Sequence, residues 1–132
     1  MDNFVALSGN VTKDPELRYT ASGTAVASFG MAVNRRWKNK QTDEWEERTS
    51  FFTVTLWADM AENASQSIEK GSRVDVRGRL EQREYEDKEG NTRKTVEIVA
   101  DTVALSLKWA TASVERIERD KAAKATYEPE PF

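Results

Sequence analysis

The chain has 132 residues, 38% hydrophobic and 33% charged, with a net charge of −3, which suits one modest core and one functional unit. It contains neither cysteine nor histidine, excluding disulfides, thiolate or imidazole metal ligands and Ser-His catalysis. No apolar run approaches the ~20 residues of a membrane-spanning helix, and Met1-Asp2-Asn3-Phe4 lacks the basic and apolar regions of a signal peptide, so a cytoplasmic location is expected.

Phe4 to Val11 reads as a first strand, with Val5, Leu7 and Val11 apolar and Gly9 where a sharp barrel bend needs a residue without a side chain. Asp14-Pro15 then opens a turn. From Thr24 to Asn34, Phe29, Met31 and Val33 share one face while Ser28, Gly30 and Ala32 share the other, a pattern fit for a tightly curved sheet. Arg35 to Ser50 is polar and charged, and is expected as a long functional loop with Gln41-Thr42-Asp43 at its tip. Phe51 to Trp57 follows as a strand whose faces are Phe52, Val54 and Leu56 on one side and Phe51, Thr53, Thr55 and Trp57 on the other. Only one of these can be core.

Asp59 with Glu62 predicts a capped short helix with Ala61, Ala64 and Ile68 as its apolar stripe, ended by Gly71 at C′. Arg73 to Tyr85 is a long strand, with Val74, Val76 and Leu80 inward and Arg77, Arg79, Arg83 and Tyr85 outward. Glu89-Gly90-Asn91 turns into a fifth strand, Arg93 to Ala100, carrying Val96 and Ile98. Three strands, a helix and a long hairpin is the order of a mainly β, five-stranded oligonucleotide-binding (OB) barrel. Val103, Leu105, Leu107 and Trp109 keep period two and predict an extra C-terminal strand. The barrel domain is assigned to residues 1–112, with 113–132 a short extension that begins as a marginal helix and ends in a flexible tip.

Unpaired nucleic acid can be held without sequence preference by stacking bases on aromatic rings while Lys and Arg follow the phosphates. Phe51 and Trp57 are out of phase with the aliphatic face, and Tyr85 shares its face with Arg77, Arg79 and Arg83. Trp37 sits among four cations, Arg35, Arg36, Lys38 and Lys40, although simple alternation from Val33 puts it in phase with the core, so a bulge or strand end has to intervene. Trp45 ranks second, because Glu44, Glu46 and Glu47 around it disfavour phosphate. Four Lys+Arg and five Asp+Glu follow residue 112, so no acidic tail masks a basic domain, and cations must act by local placement. The competing explanation of outward rings is a dimer interface or satellite packing.

Leu7-Ser8-Gly9-Asn10-Val11, Asp14-Pro15-Glu16-Leu17-Arg18-Tyr19, Ser22-Gly23-Thr24-Ala25-Val26-Ala27-Ser28-Phe29, Leu56-Trp57, Ala61-Glu62, Lys70-Gly71-Ser72-Arg73-Val74 and Gly78-Arg79-Leu80 together resemble the bacterial single-stranded DNA-binding protein family, from about Asn3 to Ala112. The resemblance implies base stacking on Trp37, Phe51, Trp57 and Tyr85, a homo-oligomer, commonly a tetramer, wrapped by DNA, and a nucleoid-associated role in replication, recombination and repair. Leu105 to Ala112 is similar to an extra strand of actinobacterial members that hooks across a dimer, which implies an actinobacterial or actinophage source. Tyr127-Glu128-Pro129-Glu130-Pro131-Phe132 resembles a degenerate acidic Pro-Phe tip. Glu128, Glu130, Pro131 and Phe132 are therefore expected to recruit replication or repair proteins, a terminal Phe suiting an apolar pocket rimmed by Lys or Arg. The tip has two Glu where several Asp are usual, and no Gly/Gln/Pro-rich linker precedes it.

No catalytic, metal or cofactor site is expected, since no acidic cluster stands at a predicted strand end with the spacing a two-metal nuclease needs. The other rival is an OB module that acts mainly as a protein adaptor.

Overall fold

The computed structural model describes residues 3–118. Six strands and one helix follow in the order β1 (Val5–Val11), β2 (Glu16–Tyr19), β3 (Ala25–Lys38), β4 (Trp45–Trp57), α1 (Ala58–Ser67), β5 (Arg73–Glu86) and β6 (Thr92–Leu105). The sheet runs β1-β5-β6-β4-β3-β2 and is closed by pairing of β1 with β3. Among the described residues, five strands thus form the expected OB-type barrel, with one extra strand at its edge and a single helix.

Closure depends on β1 being shared. Val5 to Asn10 pair with Gly78 to Arg73 on β5, while Asn10 and Val11 pair with Ala32 and Met31 on β3. At this handover Gly9 faces the Ala32 carbonyl so closely that a Cβ would collide with it, which explains a glycine at this buried position of the strand.

The inward faces of β3 and β4 supply Phe29, Met31, Val54 and Leu56, met by Val74 and Val76 of β5 and Ile98 of β6. Full burial of Met31 or Leu56 contributes ~1.5–3 kcal/mol each. α1 lies mainly against β3 and buries Ala61, Ala64 and then Ile68, the three residues of the expected stripe. Its capping differs from expectation. Trp57 occupies the N-cap with no side-chain cap hydrogen bond, and Asp59 sits inside the first turn, where a carboxylate still favours the helix dipole. Ile68 is the C-cap, its N–H donating to the Ala64 carbonyl at 2.8 Å. Gly71, at φ 92°, instead turns the chain into β5.

The expected loop from Arg35 to Ser50 is instead a two-stranded ribbon, paired without interruption from Val33↔Ser50 to Lys38↔Trp45. Only residues 39–44 turn, closed by Asn39 N–H donating to the Glu44 carbonyl at 2.8 Å. Apart from half-buried Trp37 the ribbon is exposed on both faces, so it carries no apolar alternation and its strands read as polar loop. β2 is hidden for the same reason, since all four of its residues are exposed. It pairs Glu16 to Tyr19 with Ser28 to Ala25, and Tyr19 O–H donates to Glu62 Oε1 of α1 at 3.3 Å.

Leu80, expected to point inward, lies at the surface, as does Val96 of the expected fifth strand, because β6 meets β4 only over Glu97 to Val99 and the β5–β6 hairpin beyond that point projects past the core. The extra strand also lies elsewhere than expected, at β2. Val103 to Leu105 complete β6, and Ser106 N–H donates to the Arg73 carbonyl at 2.9 Å. Arg73 is the first residue of β5, so Leu107 and Trp109 find no further strand to pair with among the described residues. Residues 113–118 are irregular rather than helical; the rest of the expected helix, and the tip Glu128, Glu130, Pro131 and Phe132, lie outside the described residues.

Candidate nucleic-acid interface

On the outer face of the barrel, register assembles rows across four strands. Ser28, Thr55, Val99 and Arg79 form one row, and Gly30, Thr53, Glu97 and Glu81 the next. On β3 and β4 these rows are the small residues Ser28, Gly30, Thr53 and Thr55, which form a low floor beside the rings. Above this floor stand Trp57, 45% exposed, and Phe51, 73% exposed, their phase set by Val54 and Leu56 pointing inward on the same strand. Beside Trp57 lies an open cleft of about 450 Å³, lined by Arg18, Thr20, Val26, Thr55, Trp57, Arg79, Glu81, Arg83, Glu97 and Val99. A planar base could enter such a cleft against the indole with guanidinium groups at its rim.

Carboxylates temper these cations. Arg79 Nη2 lies 3.4 Å from Glu81 Oε2, and Arg83 Nη1 lies 3.7 Å from Glu97 Oε2, with the Arg79 and Arg83 side chains more than half exposed. Glu97 itself is buried. The Arg79–Glu81 pair, exposed on both sides, holds its arginine loosely, at ~0–1 kcal/mol.

Farther out on the β5–β6 hairpin, Tyr85 is exposed and lies across from Arg93. Arg93 Nε donates to Asp87 Oδ2 at 2.9 Å, while Asp87 Oδ1 accepts the N–H groups of Glu89 and Asn91 at 3.0 and 2.9 Å. The Arg93 hydrogen bond, then those backbone donors, hold the Asp87 carboxyl below the usual carboxylate range.

The structure does not gather every sequence-predicted residue into this cleft. Arg77 has the same phase as Arg79, but it pairs with Ala6 on β1 and its guanidinium lies 5.2 Å from the Phe4 ring centroid, around the barrel from Trp57. Trp37 is half-buried on the ribbon, and the bulge needed to bring it to the face of Phe51 is absent: pairing runs unbroken to Lys38. Its phase is that of Arg35, whose guanidinium is 5.4 Å from its ring centroid. Arg36 and Lys38 fall on the Phe51 side, and Lys40 lies in the turn. Lys38 Nζ is engaged by Asp43 Oδ1 at 3.0 Å. Arg18 is the cation that sequence reading misses; with β2 unrecognised, nothing links it to Val26, its partner beside Trp57.

A small barrel presenting exposed rings and arginines above a floor of small residues defines the class of OB-type binders of unpaired nucleic acid. Residues 2–106 match the Single-strand binding protein family, and the chain belongs to that family. It is 47% identical over 119 residues to a single-stranded DNA-binding protein of Corynebacterium glutamicum, covering 89% of this chain and 53% of that relative. A single-stranded DNA-binding protein of Mycobacterium tuberculosis is 40% identical over 131 residues, covering 98% of this chain and 80% of the relative. The chain thus spans about half the length of the Corynebacterium protein and most of the mycobacterial one. In fold it is similar to a chain of a Plasmodium falciparum SSB complex with ssDNA, with a TM-score of 0.70 at 24% identity, covering 80% of this chain and 93% of the other. No described helix is long and apolar enough to cross a membrane.

Proposed function

We propose that the chain binds single-stranded DNA without sequence preference and protects it during replication, recombination and repair. In this reading, bases stack on Trp57, Phe51 and Tyr85, and phosphates meet Arg79, Arg83, Arg36, Lys38 and Lys40, with Arg18 added and Arg77 peripheral, while Trp37 and Arg35 meet DNA on the opposite face of the ribbon. The observation that carries it is the exposure of Trp57 and Phe51 over a floor of small residues, where a core-forming ring would be covered. Binding is non-covalent and calls for no catalytic group.

The reading extends to a homo-oligomer, a tetramer by family likeness, in a cytoplasmic, nucleoid-associated setting. Exposed Leu107 and Trp109 support it, as residues that a second copy would cover. The tip Glu128, Glu130, Pro131 and Phe132 would recruit replication or repair proteins through its terminal ring. Titrating the emission of the four tryptophans with oligo(dT) tests the central claim, with light scattering for mass. Quenching that saturates with oligonucleotide and weakens with salt supports it; an emission indifferent to oligo(dT) refutes it.

A further inference from the structure

We propose that Trp45 and Arg36 form an outlying base-stacking subsite on the β3–β4 ribbon, continuing the track of Trp57 and Phe51 for unpaired DNA that leaves the barrel. The proposal rests on the reading of that barrel face as a DNA platform. Strand alternation is its first support. Trp45, Phe51 and Trp57 are each six residues apart on β4, and the pairings Lys38↔Trp45, Ala32↔Phe51 and Val26↔Trp57 show an unbroken register between them, so all three rings leave the same face.

Exposure and charge are the second support. The Trp45 ring is 60% exposed, with the Arg36 guanidinium 4.8 Å from its centroid. That cation backs one side of the indole and is free to meet a phosphate beside a base stacked on the other. The acidic neighbours that count against Trp45 in the sequence are largely dispersed by the fold. Glu46 has the opposite phase, paired with Trp37, and accepts from Asn39 Nδ2 at 3.1 Å. Glu44 lies in the turn. Only Glu47 shares the face, directly across from Arg36.

Six residues of strand span about 20 Å. That distance is crossed by on the order of three to six nucleotides, the upper value at the ~3.4 Å spacing of a stacked strand and the lower at about twice that when extended. The ribbon would therefore lengthen the binding track by that amount and leave the affinity of very short strands unchanged.

The test is fluorescence anisotropy with labelled oligo(dT) of increasing length, on the full chain and its Trp45→Ala, Trp45→Phe and Trp57→Ala variants. The expected result is that Trp45→Ala coincides with the parent on the shortest strands that bind. It should then fall behind by about fivefold or more over the next several nucleotides, with Trp45→Phe close to the parent. Trp45→Ala matching the parent at every length, while Trp57→Ala weakens all, overturns the subsite and leaves the platform standing. Equal losses at every length in both Trp45 variants assign the ring to folding or self-association and also overturn it. If Trp57→Ala has no effect either, the platform itself fails.

Discussion

Arg83 and Glu97 meet at 3.7 Å on adjacent strands in the middle of the ring-bearing face, the carboxylate buried and the guanidinium more than half exposed. Glu97 also lies directly across from Glu81, so two negative charges sit where phosphate would approach. Replacing Glu97 with Gln should therefore tighten oligo(dT) binding several-fold. With Arg83 released, the slope of log affinity against log salt should steepen by up to ~0.7. Anisotropy titrations at several salt concentrations check both effects.

Rings and core should separate cleanly under substitution. Trp57→Ala and Phe51→Ala should each weaken oligo(dT) binding by ~1–3 kcal/mol with little change in unfolding midpoint, since both rings are exposed. Met31→Ala should do the reverse, costing ~2–5 kcal/mol of stability at a fully buried position. Urea unfolding alongside the binding titrations tests the contrast.

Two arginines distinguish position from composition. Arg18→Ala, at the cleft beside Trp57, should reduce the salt slope by ~0.7, one phosphate contact on a single strand. Arg77→Ala, stacked on Phe4 around the barrel, should leave the slope unchanged. Equal slopes for the two variants would contradict the placement of the track.

Gly78 is held by closure of the barrel. A Cβ there would meet the Val99 carbonyl and approach Ala100 Cα to 2.9 Å, at the point where the β5–β6 register slips. Gly78→Ala should lower stability by ~1–3 kcal/mol, read by chemical denaturation.

Asp87 gives the β5–β6 turn a pH dependence. Its folded pKa lies below the unfolded one, chiefly through Arg93, so its contribution is complete above the ordinary carboxylate range and is lost as pH falls through the lowered folded value. The exchange protection of the Glu89 and Asn91 amides, whose N–H groups it accepts, relative to the intrinsic rate at each pH, should therefore fall only on acidification past that value. In Asp87→Ala that protection should be low throughout, with Arg93 released beside Tyr85.

Legibility followed burial. Between Phe51 and Trp57 one face is core, so alternation alone separates Val54 and Leu56 from the rings. The same rule puts Trp37 in the inward phase, and the register keeps it there. Trp37 apart, the ribbon from Arg35 to Arg48 and the strand Glu16–Tyr19 bury neither face and left no period to detect, which is why Trp45 looks like a loop residue and Arg18 goes unnoticed.

The order of residues by itself determined the barrel, its helix stripe, the outward phase of Phe51, Trp57 and Tyr85, and the family likeness, because side-chain alternation along a strand is a local property. Which outward residues share one surface was decided only by tertiary structure. Arg77 and Arg79 are two positions apart in the same phase, yet one faces β1 and the other the cleft. Gly78 pairs with Val5 of β1 on one side and Ala100 of β6 on the other, at the register slip, a junction of segments far apart in the chain that no local pattern encodes.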